Sequence, residues 1–112
     1  MNFSFDKRDD HVVIKLDSKL FTSLVATDAR DQIEQLSKEG FKNIILDIEA
    51  ASFADSTGIG TMVFGNNTCQ EKEGKFIVAG MQPHVATVAK VTGITGIMTF
   101  AESVEDARKM LS

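Results

Sequence analysis

The residues best suited to chemistry lie together between Asp47 and Gly60. An apolar run, Asn43-Ile44-Ile45-Leu46-Asp47-Ile48, ends in an acid. A loop of mostly small residues follows, Ala50-Ala51-Ser52-Phe53-Ala54, and then Asp55-Ser56-Thr57-Gly58-Ile59-Gly60 opens a helical pattern. Asp and Ser at such a junction are good helix caps, because their side-chain oxygens accept the unpaired N–H groups of the first turn. The same place suits a phosphate, whose charge meets free N–H groups and the positive end of the helix dipole. Phosphorylation there would add about −1.5 to −2 charge beside Asp55 at pH 7, altering a surface without unfolding the domain. Capping is the ordinary role of the pair, and a switch is a second role that the same residues permit. Ile59, Met62, Val63 and Cys69 are expected on one side of the helix and Ser56 at its exposed rim. Phe53 is expected to pin the loop to the core.

Other chemistry finds less support. His11 and His84 are distant in sequence and have no Cys or second His nearby, so metal-ligand spacing is absent. Both read as surface or strand-edge residues. Cys69 has no evident base partner and reads as a small packed or partly exposed thiol. Gly58-Ile59-Gly60 lacks the third glycine of a dinucleotide loop and begins inside the helix. Asp47, Glu49 and Asp55 form an acidic group without calcium-loop spacing, and a solvated rim is the expected reading. Met62, Met81, Met98 and Met110 are scattered and read as fillers of core gaps. No catalytic residue, metal site or cofactor is expected.

These residues must be positioned by the elements around them. Residues 2–7 alternate, with Phe3 and Phe5 on one side, and residues 11–16 read as a second strand; Arg8-Asp9-Asp10 between them predicts an antiparallel hairpin. Leu24, Val25, Ala29, Ile33 and Leu36 recur at helical spacing over 23–38, with Gly40 as a stop. Residues 43–48 run apolar without alternation, as in a strand covered on both faces. A helix over 56–72 ends at Glu73-Gly74, a strand follows at 76–79, and Pro83 starts a helix to about Val91. A short strand is expected near 97–100. Ser103 then caps a last helix with Val104, Ala107, Met110 and Leu111 as its apolar face. Alternating strands and helices predict an α/β fold, with functional residues at the carboxyl ends of the strands.

The whole chain agrees with one ordinary domain, residues 1–112. Its 112 residues suffice for a core without metals or disulfides; 43% are hydrophobic and 25% charged. A net charge of −4 and the absence of a Lys/Arg run argue against nucleic-acid binding. The single cysteine excludes an internal disulfide. No apolar run approaches the ~20 residues of a membrane span, and residues 1–6 lack the features of a signal peptide. A cytoplasmic protein is expected.

The run 43–48 followed by Phe53-Ala54-Asp55-Ser56-Thr57-Gly58-Ile59-Gly60 resembles the STAS domain of bacterial anti-sigma factor antagonists. Glu73-Gly74-Lys75-Phe76-Ile77-Val78-Ala79-Gly80 resembles that family's next strand. Val85, Val88, Val91, Gly93-Ile94, Phe100 and residues 103–107 resemble its ending. The resemblance implies a single STAS-like α/β domain, with a mixed, mostly parallel sheet of four to five strands and about four helices. It implies phosphorylation on Ser56, with Asp55 before it and Thr57 after it, by an anti-sigma factor serine kinase of the histidine-kinase-like ATPase fold. A PP2C-type phosphatase would reverse it. Phe53, Asp55, Ser56, Thr57 and Gly58 are then the partner-binding residues of a module that is not an enzyme. A STAS subunit of a larger signalling complex, or of a lipid or anion transport system, is the alternative. One departure is clear: residues 16–21, Leu-Asp-Ser-Lys-Leu-Phe, lack the glycine that the family carries before its first helix.

Overall fold

In the computed structural model, which describes residues 2–111, a five-stranded sheet forms the centre, its strands side by side in the order 3–7, 12–16, 44–47, 76–79 and 99–101. The elements run β1 Phe3–Lys7, β2 Val12–Leu16, β3 Leu20–Phe21, α1 Ser23–Lys38, β4 Ile44–Asp47, β5 Phe53–Ala54 and α2 Ser56–Glu71. They continue as β6 Phe76–Ala79, α3 Pro83–Val91, β7 Thr99–Ala101 and α4 Val104–Leu111. The β1–β2 hairpin is antiparallel and the other three pairings are parallel. Each parallel pairing is joined through a helix, as parallel strands require.

The two faces of the sheet are covered unequally. One face carries Val12, Ile14, Leu16, Ile44, Leu46, Phe76 and Val78 into a core shared with α1, α2 and α3. The other carries Val13, Ile45, Ile77 and Ala79 against α4, through Ala107, Val104 and Leu111. Burial on both sides explains why β4 and β6 read as unbroken apolar runs. On that face α4 packs on β4, β6 and β7, and it reaches the β1–β2 end through Arg108.

Helix boundaries follow local chemistry. Pro83 occupies the first turn of α3, where its missing N–H is no loss. The Ser103 hydroxyl accepts the Asp106 N–H at 3.1 Å and so caps α4. At the end of α2, Glu73 takes the left-handed conformation (φ 59°), not the neighbouring glycine. Gly74 is needed for a different reason: a Cβ there would run into the Lys42 carbonyl.

Four expectations are corrected. Leu24 is 79% exposed, because Ala26, Ala29, Ile33 and Leu36 face the core and Leu24 lies off that stripe. Met110 is exposed on α4 and does not fill a core gap. His11 is buried: Asp10 Oδ1 lies 2.7 Å from its Nδ1, and Arg108 Nε lies 3.2 Å from its Nε2. The last strand begins at Thr99, because Ile94–Gly96 forms a 3₁₀ turn and leaves Ile97 exposed. A small parallel ribbon, β3 with β5, was not expected at all.

Candidate functional site

The site grows out of the end of β4. Asp47, 8% exposed, accepts the Glu49 N–H on Oδ1 at 3.0 Å and so sets the first turn of the loop. Gln82 Nε2 donates to the Glu49 carbonyl at 2.6 Å, tying the loop to the start of α3. The Ser52 and Phe53 N–H groups both donate to the Lys19 carbonyl, at 2.9 and 3.3 Å. β5 then pairs with β3 in the register Leu20–Phe53 and Phe21–Ala54. These contacts hold residues 49–54 between two other parts of the chain.

Helix α2 starts with a division of labour. Asp55 is the cap: its Oδ1 accepts the Thr57 N–H at 2.9 Å and the Gly58 N–H at 3.1 Å. Ser56 is the first helical residue and is exposed, as is Thr57. Gly58 is packed against β3, where a Cβ would meet the Phe21 carbonyl and lie 2.9 Å from a Phe21 ring carbon. One turn on, the buried Thr61 hydroxyl lies 2.9 Å from the Ala26 carbonyl and 3.1 Å from that of Thr57, linking α2 to α1. The Asp-Ser-Thr-Gly string thus places a cap, two exposed hydroxyls and a point of close approach in successive positions.

Two expectations about this site are corrected. Phe53 does not pin the loop to the core. It is 42% exposed, and its ring stacks on that of His84, with centroids 4.7 Å apart and planes 19° apart. The reason is strand alternation: Ala54 and Phe21 point inward, so Phe53 and its partner Leu20 point outward. The helix start also does not offer free N–H groups throughout, since Asp55 already occupies those of Thr57 and Gly58.

Sequence reasoning missed the apolar surroundings. Leu20 is 53% exposed beside Phe53, and Leu24 stands in the first turn of α1 immediately after β3. Three of the large exposed hydrophobic residues therefore lie on or beside the β3–β5 ribbon that leads into Ser56. The only advance signal was the alternation in Leu20-Phe21 and Phe53-Ala54, too short to read as strands. Among the described residues no group of His, Cys, Asp and Glu converges to hold a metal ion, and Asp47, Glu49 and Asp55 do not come together as one. Cys69 is buried on α2, and burial pushes its thiol up to about 12. No described helix is long and apolar enough to cross a membrane.

The STAS domain family matches residues 2–107, and the chain belongs to that family. Solved structures agree on the fold. A Thermotoga maritima protein proposed as an anti-sigma factor antagonist superposes with a TM-score of 0.89 at 18% identity, over 97% of this chain and 93% of its own. The anti-sigma factor antagonist SpoIIAA in its unphosphorylated form gives 0.82 at 23% identity, over 96% and 94%. The phosphorylated form of SpoIIAA, a Bacillus cell-fate determinant, gives 0.75 at 21%, over 98% and 99%.

Proposed function

We propose that this protein is an anti-sigma factor antagonist whose binding to an anti-sigma factor serine kinase is switched off by phosphorylation of Ser56. The observation that carries the reading is an exposed serine at the first position of α2, next to an apolar corner of Leu20, Leu24 and Phe53. Membership of the STAS family and likeness to SpoIIAA in both phosphorylation states support it. Unphosphorylated, the corner offers apolar area and two neutral hydroxyls, a surface that a partner can desolvate cheaply. The partner-binding residues are Phe53, Asp55, Ser56, Thr57 and Gly58, extended by Leu20 and Leu24.

A phosphate on Ser56 changes this surface in one way above all. Asp55 already holds the Thr57 and Gly58 N–H groups, so the new charge stands outward beside a carboxylate. Taking an ion out of water costs several kcal/mol. A penalty of about 3 kcal/mol lowers affinity more than a hundredfold. The switch therefore needs no refolding. A PP2C-type phosphatase would restore binding, and the module itself performs no catalysis.

The test is incubation with a serine kinase of the histidine-kinase-like ATPase fold from the same genome, with ATP, followed by mass spectrometric mapping. Phosphate on Ser56, loss of kinase binding on modification, and binding by Ser56→Ala but not Ser56→Asp are the expected results. Label on other residues with Ser56 untouched would overturn the assignment.

A further inference from the structure

The uneven covering of the sheet leaves a groove on the face opposite α1 and α2. Its volume is about 220 Å³, and Ser4, Val13, Lys15, Asp47, Val104 and Arg108 are among its lining residues. It lies beside α4, which packs on β4, β6 and β7 and reaches β1 through the Arg108 side chain. It is separate from the Ser56 corner.

The charges lining it are not equivalent. Asp6, also at the groove, already binds the Arg108 guanidinium at 2.7 Å and that of Arg8 at 3.0 Å. Arg108 also meets His11. This end of the groove is an internal ion-pair network. Lys15 is different: it is exposed and forms no ion pair among the described residues. Asp47 is its direct cross-strand partner in β4, yet the two do not come within ion-pairing distance. Ser4 is the partner of Lys15 on its other side. A row of hydroxyl, ammonium and carboxylate thus crosses three adjacent strands, spaced by roughly 4.8 Å per strand. Val13 and Val104 supply apolar walls beside it.

We propose that this groove binds a small zwitterion with an apolar body, of the class of an aliphatic α-amino acid. Its carboxylate meets the Lys15 ammonium and the Ser4 hydroxyl, and its ammonium meets the Asp47 carboxylate. The apolar side chain lies against Val13 and Val104. Two features select this class. Opposite charges on neighbouring strands match a ligand whose two charged groups are borne on one carbon, not at the ends of a long chain. The volume is below the ~300–1,000 Å³ of pockets for drug-sized ligands, so it suits a molecule of about ten heavy atoms. Asp47 also holds the Glu49 N–H, so an occupant touches the residue that starts the loop leading to Ser56.

The experiment is a titration of the isotope-labelled full chain, followed by amide NMR, with leucine, valine, N-acetyl-leucine, leucine amide and isovalerate as probes. Leucine or valine should give saturable shifts at Ser4, Val13, Lys15 and Glu49 below about 10 mM, within the range of weak specific binding. N-acetyl-leucine and leucine amide, each lacking one charge, should bind at least about tenfold more weakly, the effect of ~1.4 kcal/mol. Lys15→Met and Asp47→Asn should each abolish the shifts while keeping the wild-type melting temperature; the Asn carbonyl can still accept the Glu49 N–H. Binding of isovalerate as tight as that of leucine, shifts that survive both substitutions, or no shifts with any aliphatic amino acid would overturn the proposal. None of these outcomes depends on Ser56 or on a kinase.

Discussion

Asp55 and Ser56 are adjacent, yet the structure gives them different work, and stability measurements separate the two. Asp55→Ala removes the acceptor of two N–H groups, those of Thr57 at 2.9 Å and Gly58 at 3.1 Å. Losing an N-cap costs about 1 kcal/mol, within a range of ~0.5–2. Losing a carboxylate at the positive end of a helix adds about 0.3–1 kcal/mol. Together they predict a loss of about 1–2.5 kcal/mol, or a fall in melting temperature of roughly 4–10 °C for a domain of this length. Ser56→Ala removes a hydroxyl that forms no hydrogen bond within the described residues. Its effect should stay within ~0.5 kcal/mol, with a slight gain from the better helix propensity of Ala. Asp55→Asn should recover most of the cap, since its amide oxygen still accepts. Calorimetric melts of the three variants, run at low and high salt, decide the matter. If Ser56→Ala destabilises as much as Asp55→Ala, the serine is part of the cap, and any effect of its substitution on binding is confounded with folding.

Two further predictions rest on packing. Gly58→Ala normally stabilises a helix interior by up to ~1 kcal/mol, but here the added methyl meets the Phe21 backbone. The expected sign is reversed, a loss of about 1–3 kcal/mol in urea unfolding, and a stabilised variant would refute the close approach of α2 to β3. Cys69, with its thiol pushed up to about 12 by burial, should not react with a thiol reagent at pH 8 in the native protein. There the thiolate fraction is on the order of 10⁻⁴, and full reaction should appear only on unfolding in guanidinium.

The fold was legible in the sequence wherever one physical signal dominated. The stripe Ala29, Ile33, Leu36 fixed α1, and the unbroken run Ile44-Ile45-Leu46 marked a strand buried on both faces. Pro83 and Ser103 marked helix starts through chemistry that acts within one turn. The signal failed where burial depends on distant partners. Leu24 fitted the helical period but projects away from the core. His11 is buried by Arg108, nearly a hundred residues away, a contact with no local trace. The β3–β5 ribbon joins two-residue segments 33 positions apart, and neither is long enough to show a period. The candidate motif was visible because its cap, hydroxyls and glycine are contiguous; the apolar corner beside it was not, because it is made by that ribbon.

The glycine missing before the first helix bears on how that corner is made. The turn after β2 is built by Ser18, whose hydroxyl lies 2.9 Å from the Leu20 carbonyl and 3.2 Å from the Leu20 N–H. A side-chain turn of this kind replaces the conformational freedom of glycine with a local hydrogen bond. It delivers the chain into β3 with Phe21 buried under Gly58 and Leu20 turned out beside Phe53. Asp55 must cap and Gly58 must admit β3, so neither can vary to distinguish one partner from another. Thr61 is likewise committed, to the contact with α1. The exposed positions that remain open to variation, Leu20, Leu24, Phe53 and His84, are those a partner surface would read. On the proposed function, discrimination between kinases should therefore lie in the ribbon and the helix starts flanking it, with Asp55-Ser56-Thr57-Gly58 as the proposed switch.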